Sequence, residues 1–145
     1  MKVIIQRVKE ANVQIDNEIV GKINKGYLLY VCFEKEDTLT NINASIKKIR
    51  DLRIFEDQAG KMNTSLLDAN GEVLSISQFT LSWDGKKGNR PSFDKSMHPD
   101  KAEVLYNKFN ELLKQNDINV QTGCFGANMQ VQSINDGPVT FYLTF

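Results

Sequence analysis

The amino-terminal part of the chain alternates apolar and polar positions as half-buried strands do. Four apolar residues of the first segment share one parity: Val3, Ile5, Val13 and Ile15. This parity predicts a strand over residues 3–15, followed after a turn by a second strand over 18–23. The nearly continuous apolar run 27–33 is typical of a central strand. Arg7 falls on the apolar parity of the first strand, where a charged side chain is unexpected.

Two later segments carry apolar residues at helical spacing. The first follows a capping residue, Asp37 or Thr38, and its apolar stripe is Leu39, Ile42, Ile46 and Ile49. The second begins at Pro99, which suits the first turn of a helix. Its apolar stripe is Ala102, Leu105, Phe109 and Leu112. The pattern therefore predicts two amphipathic helices.

The remaining apolar segments are short and favour strands. These strands are predicted over 52–55, 72–81, around Val120, over 129–135 and over 139–145. The last two enclose the turn sequence Asn135-Asp136-Gly137-Pro138, and residues 82–98 form the longest irregular segment. The whole pattern predicts an α+β fold rich in antiparallel strands, as one domain over residues 1–145.

Composition excludes several classes of protein. The 145 residues include 18 Lys plus Arg and 18 Asp plus Glu, so the net charge is zero, and 41% are apolar. These values exclude a disordered chain, a coiled coil and a strongly basic nucleic-acid binder. With His98 as the only histidine, a His-rich metal site is impossible, and we expect neither metal nor cofactor.

The compartment is inferred from the same sequence. We find no signal-peptide pattern and no apolar run long enough to span a bilayer, so we expect a cytoplasmic protein without membrane contact. Cys32 and Cys124 are then expected to be free thiols.

Polar residues at the end of the 72–81 strand are the first candidates for chemistry. Ser77, Gln78 and Thr80 lead into the long irregular segment, where active-site edges are common. The alternative is an ordinary strand that contains Ser and Thr. A Ser-His-Asp or Cys-His arrangement would need His98, whose place beside Pro99 is more typical of an exposed residue at a helix start.

The irregular segment also carries a local basic cluster. Lys86, Lys87 and Arg90 lie in a stretch, 85–93, that contains no acidic residue and two glycines. Such a loop can bind the phosphates of a nucleic acid, although a solvated surface loop has the same composition.

Two further features of the sequence each allow two interpretations. The Gly137-Pro138 pair lies in a tight turn, where a cis bond would form a rigid tip and a trans bond an ordinary hairpin. Residues 118–135 contain no charged side chain, which suits either a ligand wall or a sheet that happens to lack charge.

Taken together, these segments resemble one family, the D-aminoacyl-tRNA deacylases. The resemblance covers nearly the whole chain and is carried by MKVIIQRV (1–8), LRIFED (52–57), GKMN (60–63), SQFTL (77–81), KKGNRPSF (86–93), FGANMQV (125–131) and NDGPVT (135–140). SQFTL and NDGPVT are the two signature motifs of that family. The sequence departs from the common pattern at Cys124, where many relatives have a basic residue, and at Asn128, where many have an acid.

The resemblance implies a homodimer of a β-barrel-like fold that cleaves the ester between a D-amino acid and the 3′-terminal adenosine of tRNA. It implies that the SQFTL segment lines the pocket, with Ser77, Gln78, Phe79 and Thr80 as the site residues. Main-chain N–H groups near Phe79 and Thr80 would hold the reacting carbonyl oxygen. The basic residues Lys86, Lys87 and Arg90 would contact tRNA.

The resemblance also assigns the NDGPVT turn. Gly137 and Pro138 are expected to enter the pocket of the partner subunit as a Gly-cis-Pro element, with Arg7 fixing that element and Met129 near the same pocket. A rigid tip that occupies the space of an L side chain would reject L-residues and accept D-residues and glycine. Glycyl-tRNA, including glycine mischarged on tRNA-Ala, is then an expected substrate.

The expected mechanism needs little from acid–base side chains, because an aminoacyl ester is already activated and the terminal 2′-hydroxyl of the RNA can assist the attacking water. Two alternatives remain open at this point. One is a non-catalytic tRNA-binding module that uses the basic loop, and the other is an esterase with Thr80 as nucleophile.

Overall fold

Eight β-strands, two α-helices and one 3₁₀ helix form the part of the chain that the computed structural model describes, residues 1–86 and 88–145. The strands are β1 (Lys2–Ile15), β2 (Glu18–Ile23), β3 (Gly26–Cys32), β4 (Phe55–Glu56), β5 (Met62–Thr64), β6 (Glu72–Ser77), β7 (Val120–Thr122) and β8 (Gln130–Thr144). The helices are α1 (Leu39–Asp51) and α2 (Pro99–Lys114), with the 3₁₀ helix over Phe79–Ser82. The predicted α+β class with two helices is confirmed.

The long strand β1 organises the main sheet. Its first half pairs with β3, its second half with β2, and nearly its whole length with β8, all antiparallel. The sheet continues through β6, which pairs in parallel with β3, and through β7, which pairs in parallel with β6. A Cβ atom placed on Gly21 of β2 would lie 2.8 Å from the carbonyl oxygen of Thr122, so β2 passes close over β7. The sheet therefore curls into the nearly closed, barrel-like form that the family resemblance implies.

Two apolar clusters hold this sheet. The larger one joins one face of the sheet to both helices, with Val3, Ile5, Ile49 and Phe109 fully buried in it. The smaller one is made only by strand residues, such as Val13, Leu28 and Leu74, and fills the curl of the sheet. β1 contributes to both clusters because irregularities between Gln6 and Glu10 change the face that its side chains use.

The apolar stripes of both helices pack against the larger cluster. Each stripe differs slightly from the predicted one. In α1, Ile42, Ile46 and Ile49 are buried, whereas Leu39 is half exposed. In α2 the most buried apolar residues are Ala102, Tyr106, Phe109 and Leu113. Tyr106 replaces the predicted Leu105 because its hydroxyl donates a hydrogen bond to the Ser75 carbonyl oxygen at 2.7 Å, which satisfies its polar end. No helix within the described residues is both long and apolar enough to cross a membrane.

The predicted strand over 72–81 is too long. β6 ends at Ser77, and the chain then turns into the 3₁₀ helix. The last ladder hydrogen bond runs from the Gln78 N–H to the Val31 carbonyl oxygen at 2.8 Å. Because β3 itself ends at Cys32, residues beyond Gln78 have no strand to pair with.

The predicted strand over 52–55 is displaced toward β4. Leu52 still caps α1, since its N–H donates to the Lys48 carbonyl oxygen at 3.0 Å. The extended segment can therefore begin only after it, and β4 pairs with β5, which the pattern did not predict.

The predicted pair of carboxyl-terminal strands around a hairpin turn is also wrong. β8 is one strand, and both of its halves pair with β1. The ladder reaches Asn135 opposite Val8 and resumes at Thr140 opposite Gln6. Residues 136–139 therefore bulge out of a continuous strand, and a turn sequence alone does not distinguish such a bulge from a hairpin.

We expect Thr38→Ala to lower the free energy of unfolding by about 1 kcal/mol, because it removes a helix cap. Thr38 Oγ1 accepts the Thr40 N–H at 3.3 Å, and the Thr38 N–H donates to Asn41 Oδ1 at 2.8 Å. Thr40→Ala, inside the same helix, is the matched control and should change stability by less than about 0.5 kcal/mol. Urea denaturation of both variants measures the difference, and equal losses would contradict a capping role.

Candidate active site

A cavity of about 620 Å³ opens where β3, β6 and the start of α2 converge. Its wall includes Val31, Cys32, Phe33, Ile76, Ser77, Gln78, Phe79, Phe93, Ser96, Met97, His98, Pro99, Ala102, Tyr106, Phe125, Gly126, Ala127, Asn128, Met129 and Val131. Backbone hydrogen bonds fix one rim, since the Met97 N–H donates to the Phe33 carbonyl oxygen at 3.1 Å. The cavity is mostly apolar, with few polar groups, as is usual for a small-ligand site.

The SQFTL segment forms one end of this cavity. Ser77 and Gln78 are half-buried in its wall, and the exposed Phe79 ring packs edge-on against Phe93 with 4.9 Å between ring centroids. Thr80 is exposed and is not among the described lining residues. Its hydroxyl oxygen accepts a hydrogen bond from Gln78 Nε2 at 2.6 Å. Three of the four predicted site residues therefore line the cavity, and the fourth touches one of them.

The 3₁₀ helix that begins at Phe79 leaves main-chain donors at this end. The first N–H groups of a helix have no acceptor within the helix. The preceding N–H, that of Gln78, is already used by Val31. The N–H groups of Phe79 and Thr80 are therefore main-chain donors that the helix itself leaves unused. A strand continued to Leu81 would have lacked this geometry.

The opposite wall comes from the charge-free stretch of the sequence. Phe125 and Met129 lie in it, and the Phe125 ring is 5.8 Å from that of Tyr106. A Cβ atom on Gly123 would lie 2.3 Å from Met129 Sγ, so glycine leaves the room that Met129 occupies. Part of the uncharged stretch is thus a cavity wall, while Val120 belongs to the core.

The wall offers little acid–base chemistry. None of the described lining residues is an Asp, Glu, Lys or Arg, and His98 is the histidine among them. His98 is the N-cap residue of α2 with its side chain 71% exposed, and its Nδ1 lies 3.6 Å from Asp100 Oδ2. This confirms the interpretation of His98 as an exposed residue at a helix start.

Burial makes Cys32 a poor nucleophile. It raises the pKa of the Cys32 thiol to about 11, so the thiol is neutral at physiological pH. Within the described residues, no cluster of three or more His, Cys, Asp or Glu side chains is placed to hold a metal ion.

Arg7, Gly137 and Pro138 form a second constellation, outside this cavity. Gly137 and Pro138 are exposed at the end of the β8 bulge, joined by a cis peptide bond, and neither is among the described lining residues. Arg7 is 4% exposed. Its Nε donates to the Asp136 carbonyl oxygen at 3.1 Å, and its Nη1 donates to the Ile54 carbonyl oxygen at 2.6 Å. The buried guanidinium therefore ties the bulge to the segment that follows α1.

The bulge also has internal support. The Val139 N–H donates to Asn135 Oδ1 at 3.0 Å, and Asn135 Nδ2 donates to Thr140 Oγ1 at 2.9 Å. Gly137 has φ +130°, and a Cβ atom there would lie 2.6 Å from Val139 Cγ2. Glycine is therefore the residue that this backbone and this spacing require.

The described basic side chains of the loop are not part of the cavity wall, although Phe93 at the end of the loop is. Lys86 and Arg90 are exposed, and neither is among the described lining residues, while Lys87 lies outside the residues that the structure describes. Asp84 accepts the Lys86 N–H at 3.2 Å and pairs with Lys95 Nζ at 3.2 Å. These two donors lower the pKa of the Asp84 carboxyl group, the backbone N–H having the larger effect.

Sequence reasoning missed several of the lining residues. Met97 lies in the segment predicted to be irregular, and Tyr106 lies outside the predicted apolar stripe of the second helix, so nothing in their local pattern indicates a cavity. Phe93 and Phe125 belong to the motifs KKGNRPSF and FGANMQV, which carry the family resemblance, and that resemblance is the signal that points to them.

Comparisons with known proteins agree with these motifs. The family model described as D-Tyr-tRNA(Tyr) deacylase matches residues 4–144. The chain is 53% identical over 143 residues to proteins named D-aminoacyl-tRNA deacylase from Exiguobacterium sp. and from Lactobacillus gasseri. These alignments cover 99% of this chain and 97% and 99% of the two relatives.

Solved structures give the same result for the fold. The chain is similar to the c-Myc DNA Unwinding Element Binding Protein, with a TM-score of 0.95 and 39% identity over 100% of this chain and 99% of that one. A probable eukaryotic D-amino acid tRNA deacylase matches with a TM-score of 0.84 at 17% identity, over 98% of this chain and 97% of that one, which supports the fold. The chain therefore belongs to the D-Tyr-tRNA(Tyr) deacylase family.

Proposed function

We propose that this chain is an editing hydrolase that cleaves the ester of D-aminoacyl-tRNA and releases free D-amino acid and tRNA. The observation that carries the proposal is the SQFTL segment, which turns into a 3₁₀ helix at the end of an apolar cavity, so that the N–H groups of Phe79 and Thr80 have no acceptor within the helix. Family membership over the whole chain supplies the class of substrate.

The reaction adds water to the ester carbonyl carbon and breaks the bond from that carbon to the ribose oxygen. The negative charge that develops on the carbonyl oxygen is stabilised by the N–H groups of Phe79 and Thr80. The terminal adenosine leaves with its 3′-oxygen protonated. Ser77 and Gln78 hold the segment and contact the aminoacyl group.

In this proposal the 2′-hydroxyl of the terminal adenosine accepts the proton of the attacking water and passes its own proton to the departing 3′-oxygen. Support comes from the cavity wall, whose described residues include no carboxylate or amine and whose one histidine is exposed at the rim. An aminoacyl ester is reactive enough for positioning and oxyanion stabilisation to supply most of the acceleration.

Chiral selection is proposed to come from a second copy of the chain. In a homodimer, the Gly137-Pro138 tip of one protomer enters the cavity of its partner near Met129, and the space it fills is the space that an L side chain needs. Support comes from the exposed position of the tip and from the Arg7 contacts that fix it. D-residues avoid the tip, and glycine has no side chain to reject.

The first prediction from this proposed function concerns the steric rejection of L-residues. D-aminoacyl-tRNA and glycyl-tRNA should both be deacylated, while matched L-aminoacyl-tRNA should survive. Gly137→Ala should lower the D-over-L selectivity by about tenfold or more, the scale of one misplaced group in a selective pocket. Gly60→Ala also replaces a glycine of positive φ, but in open space, and should leave selectivity unchanged. Inert glycyl-tRNA alongside active D-aminoacyl-tRNA would show that steric exclusion is wrong.

The second prediction separates the RNA-assisted route from a Thr80 nucleophile. Thr80→Ala should keep turnover within about tenfold of the native rate, whereas a substrate ending in 2′-deoxyadenosine should lose about a hundredfold or more, the usual effect of removing an acid–base group. Single-turnover kinetics with both substrates make the comparison. Loss of nearly all turnover in Thr80→Ala, with tRNA binding intact and rescue by Thr80→Ser, would establish the nucleophile instead.

The third prediction concerns the basic loop. Replacing Lys86, Lys87 and Arg90 by alanine should raise KM for aminoacyl-tRNA and reduce the slope of log affinity against log salt by about 1 for each lost phosphate contact. Binding measured at several salt concentrations gives the slope. A control variant removes the same charge at exposed positions elsewhere: Lys22, Lys47 and Lys48. Equal effects from both variants would show that the loop contributes only general electrostatic attraction and would contradict specific phosphate contacts.

A further inference from the structure

Arg7 has two hydrogen-bonded partners on different segments, and only one of them is the bulge. Its Nη1 reaches the Ile54 carbonyl oxygen at 2.6 Å, which is its shortest contact. Its Nε binds the Asp136 carbonyl oxygen at 3.1 Å and lies 3.3 Å from Asp136 Oδ2. A planar guanidinium with fixed donors transmits the position of one acceptor to the other. A shift of the Ile54 carbonyl oxygen would therefore move Arg7 and, with it, the tip.

The segment that carries Ile54 is itself held by an aromatic pair. The rings of Tyr27 and Phe55 are stacked, with 5.2 Å between centroids and 9° between planes. Tyr27 is the cross-strand neighbour of Arg7 on β3, and its hydroxyl donates to the Leu52 carbonyl oxygen at 3.1 Å. The aromatic pair thus fixes the chain on both sides of Ile54.

Burial makes this support rigid. Tyr27, Ile54 and Phe55 are all at most 3% exposed. Burial also raises the pKa of the Tyr27 hydroxyl, so it remains a donor to Leu52. On the other side of the segment, Lys25 Nζ lies 5.2 Å from the centroid of the Phe55 ring. Neither Tyr27 nor Phe55 is among the described residues of the cavity wall, and neither belongs to the tip.

We propose that Tyr27 and Phe55 are positioning residues for chiral selection, acting through the Ile54 carbonyl and Arg7 on the Gly137-Pro138 tip. This inference rests on the proposed steric role of that tip. A steric filter depends steeply on distance, because a shift of well under 1 Å changes an overlap into a contact. Loosening the pair should therefore admit L-residues while the hydrolytic end of the cavity stays intact.

Two conservative substitutions test the proposal. Tyr27→Phe keeps the stack and removes the hydrogen bond to Leu52, and Phe55→Leu keeps an apolar residue and removes the stack. Each should lower the ratio of D- to L-aminoacyl-tRNA hydrolysis by about tenfold, the effect of losing roughly one hydrogen bond. The kcat for D-aminoacyl-tRNA should stay within about threefold of native, because neither side chain touches the cavity.

Phe109→Leu is the matched control. Phe109 is fully buried in the same large cluster and is absent from the described cavity wall. The control should reduce thermal stability as Phe55→Leu does, without changing the D-to-L ratio. An equal fall in that ratio for Phe109→Leu would show a general loss of stability and overturn the proposal.

Amide hydrogen exchange of residues 135–137 and 139, which carry the N–H groups of the bulge and its flank, gives a readout that is independent of chirality. Exchange should be faster in Tyr27→Phe and Phe55→Leu and unchanged in Phe109→Leu. Unchanged exchange and selectivity in both aromatic variants would overturn this inference, while Gly137→Ala could still support the proposed function. If Gly137→Ala leaves selectivity unchanged, the steric function of the tip is wrong, and faster exchange would still establish the aromatic pair as its support.

Discussion

The structure depends on one buried cation. Arg7 lies on an otherwise apolar face of β1, and its guanidinium is satisfied by backbone carbonyl groups from two distant segments. Removing a partner from such a buried charge typically costs about 3–5 kcal/mol, so the partners and the charge constrain one another. The sheet, the segment after α1 and the β8 bulge are therefore joined at a single point. Both the fold and the geometry of the tip depend on that point.

The cavity is built on a different principle. Its walls are largely apolar, and the donors that we propose for the reacting oxygen are main-chain groups at the start of a 3₁₀ helix. Backbone donors cannot rotate away, so they are pre-organised before substrate arrives. Positioning and rejection are thus assigned to separate parts of the chain, and neither part uses the scarce ionisable side chains. A neutral chain with one histidine is adequate for such a site.

The sequence allowed the helices to be predicted almost in full, because apolar spacing, Thr38 and Pro99 act locally. It also indicated Ser77 and Gln78, which line the cavity. The end of β6 could not be predicted, since it depends on where β3 stops. The roles of Tyr106 and Ile54 were equally hidden, because one acts through a distant carbonyl group and the other through its own backbone oxygen. Long-range pairing leaves little trace in a local pattern.

The bulge in β8 separates strand pairing from the geometry of the tip. Between two points of unbroken pairing, β1 advances from Gln6 to Val8 while β8 spans Asn135 to Thr140. Residues 136–139 carry none of the register on either side, so pairing with β1 does not determine their conformation. That conformation is set by Arg7, by Asn135 and by the absence of a side chain at Gly137, so a substitution at one of these positions can move the tip while the ladder stays in place.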